Sequence, residues 1–113
     1  MESSVSELKL EKVLIKISAE FLAGDKDFGI SPTTLTSIAK DISKIHHKNK
    51  QISIVIGGGN FFRGVAIASK GMDRVTADYM GMMATIMNSL ALQSELEKLG
   101  QDSRVMSALD IKK

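Results

Sequence analysis

The run Gln51-Ile-Ser-Ile-Val-Ile56 opens directly into Gly57-Gly-Gly59, and this junction constrains the fold more than any other stretch of the chain. Isoleucine and valine crowd their own backbone and favour extended structure, so the run predicts a strand. Three glycines end it by freeing the backbone to turn, with access to positive φ, and by removing every Cβ from the turn. Asn60-Phe-Phe-Arg63 then offers the start of a helix. Strand, glycine turn and helix start in that order form the ordinary unit of an open α/β sheet, in which ligands sit beyond the carboxyl ends of the strands.

The flanking sequence supplies the remaining elements. Lys12-Val-Leu-Ile-Lys-Ile-Ser18 is short and nearly continuous in apolar content, which predicts a strand covered on both faces of a parallel sheet. A polar loop containing Gly24 and Gly29 leads to Ser31-Pro32, an N-cap followed by a proline suited to the first helical turn. Leu35, Ile38, Ile42 and Ile45 place one apolar stripe on a helix running to about Lys48, with Asn49 at its end. Asp73 to Leu99 reads as a long helix closed by Gly100, with Met80, Met83, Ala84, Met87, Leu90, Ala91 and Leu92 forming a broad apolar face. Ser103 to Leu109 reads as a third strand. Alternating strands and helices predict parallel strands joined by right-handed crossovers.

Composition removes several function classes. With 43% hydrophobic and 25% charged residues among 113, the chain has the make-up of a globular domain with one core. A net charge of +2, mixed along the chain, supplies no cationic stripe for duplex nucleic acid. Met1 to Glu11 lacks a basic segment followed by an apolar one, so it reads as a flexible lead-in and not a secretory signal. No apolar run is long enough to predict a membrane span. The absence of cysteine fits a cytoplasmic protein. His46 and His47 point about 100° apart on a helix, which predicts no metal site.

The glycine turn is suited to phosphate. Unpaired N–H groups at a helix start and the positive end of its dipole point at one spot, and Arg63 could add a forked, permanently charged donor. A tight strand-to-helix turn with a surface arginine explains the same residues without a ligand. A P-loop is excluded because Val65 follows Gly64 where lysine is required, and the dinucleotide fingerprint fails because its third glycine falls on Phe62. Lys16 sits between Ile15 and Ile17 in the first strand, where an anionic ligand would satisfy its ammonium; a lysine snorkelling from an edge strand is the alternative. Ser18 lies on the same strand face as Lys16.

Lys16-Ile-Ser-Ala-Glu20, Val55-Ile-Gly-Gly-Gly-Asn-Phe-Phe-Arg-Gly64, Gly71-Met-Asp-Arg-Val-Thr-Ala-Asp-Tyr-Met-Gly81, Ala84 to Leu92 and Arg104-Val-Met-Ser-Ala108 together resemble the bacterial UMP kinases of the amino acid kinase superfamily. The resemblance implies an α/β three-layer sandwich with a mainly parallel sheet, truncated here: residues 12–113 would be the N-terminal half of the domain, with the C-terminal nucleotide-binding half absent. It implies transfer of the γ-phosphoryl group of ATP, with Mg2+, to UMP. Lys16 and Arg63 take catalytic roles. Lys16, Ser18, Ala19, Gly59 and Arg63 resemble ATP contacts, Gly58 and Asp78 resemble UMP contacts, and Phe28-Gly29 resembles a region used for GTP-linked activation. A homohexamer is implied for the intact enzyme, and little activity is expected from this chain alone.

The family has glycine where this chain has Ala19, whose methyl would press on a phosphate or strain a positive φ. Without the family match Asp78 reads as a solvated helix residue. A sister kinase acting on an amino acid or carbamate, or a non-catalytic nucleotide-binding fragment, would share the lysine and glycine motifs.

Overall fold

The computed structural model describes residues 12–46, 51–61 and 70–107. The lead-in at Met1 to Glu11, the predicted helix end at Asn49, and Arg63 all lie outside the described residues. Strand β1 (Lys12–Ile17) pairs in parallel with β2 (Gln51–Ile56), with Lys12 opposite Gln51 and Ile17 opposite Ile56. Between them come a 3-10 turn at Ala19–Ala23 and helix α1 (Pro32–His46). A helical turn at residues 59–61 follows β2, and helix α2 spans Arg74–Lys98. The α/β class with a parallel sheet is therefore what the sequence predicts.

Because side chains alternate across a strand, Ile17, Ile54 and Ile56 share one face of the sheet. They pack against Leu22, Leu35, Ala39, Ile42, Leu92 and Leu96 from the 3-10 turn and the two helices. The opposite face corrects one expectation. Leu14 and Val55 are 69% and 52% exposed, so among the described residues the strands are covered on one face and not on both.

Helix ends follow their sequence signals. Pro32 opens α1, and the Leu35 amide donates to the Ser31 carbonyl. Asp73 caps α2 by accepting from the Thr76 amide at 2.7 Å. At the far end, Gly100 takes φ +80° while Gly100 and Gln101 donate to the Glu97 and Leu96 carbonyls, the paired bonds of a glycine-terminated helix.

Two expectations about packing change. Residues 103–107 form no strand: the Ser103 carbonyl accepts from Gln93 Nε2 at 2.9 Å, and Met106 lies 88% exposed. On α2 the buried stripe is Ala84, Asn88, Leu92 and Leu96, whereas Met83 and Met87 are exposed. Two of the residues this stripe and its neighbours bury are amides, Asn88 and Gln93, which hydropathy patterning assigns to solvent.

Candidate phosphate-binding edge

Parallel pairing decides where the predicted site residues meet. With Ile17 opposite Ile56, the chain leaves both strands at the same carboxyl edge, so Ser18-Ala19 and Gly57-Gly58-Gly59 emerge side by side. Gly59 lies against the start of the 3-10 turn. A Cβ built on Gly59 would stand 3.2 Å from Glu20 Cγ and 3.8 Å from the Glu20 amide nitrogen. The lysine and glycine motifs therefore converge.

Gly58 and Gly59 act by sterics and not by unusual torsion. None of Gly57, Gly58 and Gly59 has positive φ. A Cβ on Gly58 would meet Ala84 Cβ at 2.9 Å, the Gly81 carbonyl at 3.3 Å and the Thr85 nitrogen at 3.3 Å. Gly58 lets α2 lie directly on the turn. Among the described residues neither the Gly58 nor the Gly59 amide donates to a protein acceptor, whereas the Gly58 carbonyl accepts from the Phe61 amide at 3.0 Å. Two adjacent N–H groups with no acceptor among the described residues are donors of the kind an anion takes.

Ala19 is a correction. Its φ is not positive, and its methyl is buried in the core with Leu22 and Ile56, so the alanine is accommodated without backbone strain. Ser18 precedes the 3-10 turn in extended conformation, and its exposed hydroxyl makes no capping bond. Lys16 is exposed on the open sheet face, paired in register with Val55.

Asp78 lies on α2, the helix that packs on the glycine turn. Asp78, Gly81, Thr85 and Asn88 follow at three- and four-residue steps along one stripe of α2, the stripe that touches the glycine turn. Asp78 precedes Ala84 by six positions on the helix, which places their Cα atoms about 9 Å apart along its axis. Its carboxylate is exposed and lies 3.9 Å from the Arg74 guanidinium. Phe28 meets Phe61 edge to face, ring centroids 5.3 Å apart, so the 24–30 loop also reaches the glycine turn.

Sequence patterning misses the residues that join these parts. Asn60 is 3% exposed and Asn88 fully buried. Each donates to the other's side-chain oxygen, at 3.0 and 2.7 Å, and each uses its second N–H on a backbone carbonyl, Asn60 on Gly29 at 2.9 Å and Asn88 on Gly57 at 2.8 Å. The one available signal is an asparagine at a core position of an otherwise apolar helix stripe.

A sequence model of the amino acid kinase family matches residues 11–113. The chain belongs to that family. Within the amino acid kinases it is 50% identical over 107 residues to the uridylate kinase of Xanthomonas axonopodis pv. citri (strain 306), covering 95% of this chain and 45% of that protein. The uridylate kinase of Xanthomonas oryzae pv. oryzae (strain KACC10331 / KXO85) matches to the same extent. Among solved amino acid kinases, UMP kinase from Ureaplasma parvum superposes with TM-score 0.78 at 40% identity over 90% of this chain and 45% of that one. UMP kinase from Bacillus anthracis gives 0.68 at 42% identity over 78% of this chain and 36% of that one. The chain thus spans less than half the length of these relatives. No helix among the described residues is long and apolar enough to cross a membrane.

Proposed function

We propose that this chain supplies the phosphate-binding edge of a UMP kinase, which transfers the γ-phosphoryl group of ATP to UMP in the cytoplasm. The supporting observation is the register of β1 and β2, which brings Ser18-Ala19 and the Gly58 and Gly59 amides, without an acceptor among the described residues, to one edge. Residues 12–113 act as the N-terminal half of the kinase domain.

In this reading Lys16 and Arg63 neutralise the phosphates, Ser18 and the backbone at Ala19 and Gly59 hold ATP, and Gly58 holds the phosphate of UMP. Asp78 accepts hydrogen bonds from the ribose. Mg2+ in this reading accompanies the triphosphate of ATP. Transfer between two bound nucleotides needs positioning and charge neutralisation, with no covalent intermediate. Phe28 and Gly29, which reach the glycine turn, serve as the GTP-responsive region, and the intact enzyme assembles as a homohexamer.

The test is UDP formation by the complete native protein, with Lys16→Ala and Asp78→Asn alongside. The native protein forms UDP from ATP and UMP. K16A lowers kcat by a factor of a hundred or more, and D78N raises KM for UMP while leaving KM for ATP within a factor of two. Phosphorylation of an amino acid or carbamate in place of UMP would assign the chain to a sister kinase.

A further inference from the structure

We infer that the buried Asn60–Asn88 pair is a positioning device that aims the glycine-turn amides at phosphate, an inference that rests on the reading of this edge as a phosphate site. The two side chains offer four N–H donors and two carbonyl oxygens. All four donors are used, two within the pair and two on the Gly29 and Gly57 carbonyls. Rotating either amide by 180° would set oxygen against a backbone carbonyl oxygen, so the network fixes its own orientation.

The consequence for the turn comes from peptide geometry. In a trans peptide the C=O and N–H point in opposite directions from one rigid plane. The Gly57 carbonyl and the Gly58 N–H share such a plane. Asn88 Nδ2, at 2.8 Å, holds that carbonyl into the protein and so turns the Gly58 N–H away from the core. The next plane is held in the same way, because the Phe61 amide takes the Gly58 carbonyl at 3.0 Å and turns out the Gly59 N–H. Free glycine backbone would sample many orientations. Asn88 removes that freedom without putting a side chain in the turn.

Asn60 extends the device to a second segment. Its side chain donates to the Gly29 carbonyl at 2.9 Å, and its own carbonyl accepts from the Gly29 amide at 3.0 Å. Gly29 is thereby gripped from both sides of its backbone, and the 24–30 loop moves with the phosphate turn. An apolar pair of similar size would fill the same core space but leave the Gly29 and Gly57 carbonyls without these donors, so the amides impose an orientation that packing alone does not.

The experiment compares the complete native protein with N88L, N60L and the double variant, measuring thermal unfolding and calorimetric affinity for inorganic tripolyphosphate, each at the same interval below its own melting midpoint. Replacing both partners leaves no amide unpaired within the pair, so the double variant is the one best placed to fold. The expected result is a loss of at least tenfold in tripolyphosphate affinity for folded N88L and for the double variant, and no change in the Gly58 amide resonance on adding the ligand. Asn60→Ser, small enough to admit water in place of the side chain, carries the same test if the leucine variants do not fold, with an expected loss of at least fivefold. A folded variant that keeps tripolyphosphate affinity within a factor of two of native overturns the inference. Native protein that binds neither tripolyphosphate nor ATP overturns the phosphate reading itself.

Discussion

A Cβ on Gly58 would lie 2.9 Å from the Cβ of Ala84, closer than two such carbons can approach, so turn and helix α2 meet with no room for a methyl group. Gly58→Ala is expected to lower stability by about 1–3 kcal/mol through overpacking. Gly57→Ala, with nothing within 4 Å and no positive φ, is expected to stay within about 1 kcal/mol of native. Denaturant unfolding of the two variants checks the contrast, and equal losses would show that the helix yields.

Gly29 presents the opposite case, since open space surrounds its Cβ position but its φ is +93°. The strain of placing an L side chain there costs about 1–3 kcal/mol. Gly29→Ala is therefore expected to destabilise as Gly58→Ala does, for a torsional and not a steric reason. A stability unchanged on substitution would mean that the 24–30 loop relaxes out of this conformation.

Leu22 is fully buried in the 3-10 turn and belongs to the core cluster formed with Ala19, Leu35 and Ile56. Leu22→Ala is expected to cost about 2–5 kcal/mol, the sum of lost burial and the cavity left behind. Thermal unfolding measures it. A loss below about 1 kcal/mol would show the turn is not anchored in the core.

Acid stability follows from two carboxylates. The Thr76 amide hydrogen bond lowers the Asp73 pKa below its ordinary value, and the Thr36 hydroxyl, with Lys98, lowers that of Glu95. A carboxylate depressed on folding stabilises the native state above its unfolded pKa and loses that contribution as pH falls through the folded one. Stability is expected to be flat from pH 7 to about 5 and to decline below about 4.5. Asp73→Asn keeps a capping acceptor without a titrating charge, so it is expected to match native stability at pH 7 and to show a shallower acid decline. An unchanged acid limb in this variant would exclude Asp73 as a source of the acid loss.

How much of the fold is legible in the sequence depends on which force is at work. β-branched runs, Pro32, Asp73 and Gly100 act locally, and each places its element within a residue or two. The strand-to-glycine junction likewise marks the carboxyl edge by local chemistry alone. What is illegible is non-local. Nothing near Ser103 announces that its carbonyl will accept from Gln93. Lys16 is a local case instead, since alternation alone puts it on the exposed face opposite its isoleucine neighbours. Asn60 and Asn88 lie 28 residues apart, and their pairing arises only when α2 folds across the turn. The glycines stand out in the chain, but the reason for them, closeness to Ala84 and Glu20 and not positive φ, comes from packing between distant segments.

Whether the two strand ends form one phosphate edge can be read from a backbone amide resonance map of the complete native protein, with and without Mg2+ and ATP. The amides of Ser18, Ala19, Gly58 and Gly59 are expected to shift together, while those beside the open groove lined by Thr36, Ala39, Glu95 and Lys98 remain in place. Shifts confined to that groove, or movement of the residues after only one of the two strands, would contradict a shared phosphate edge.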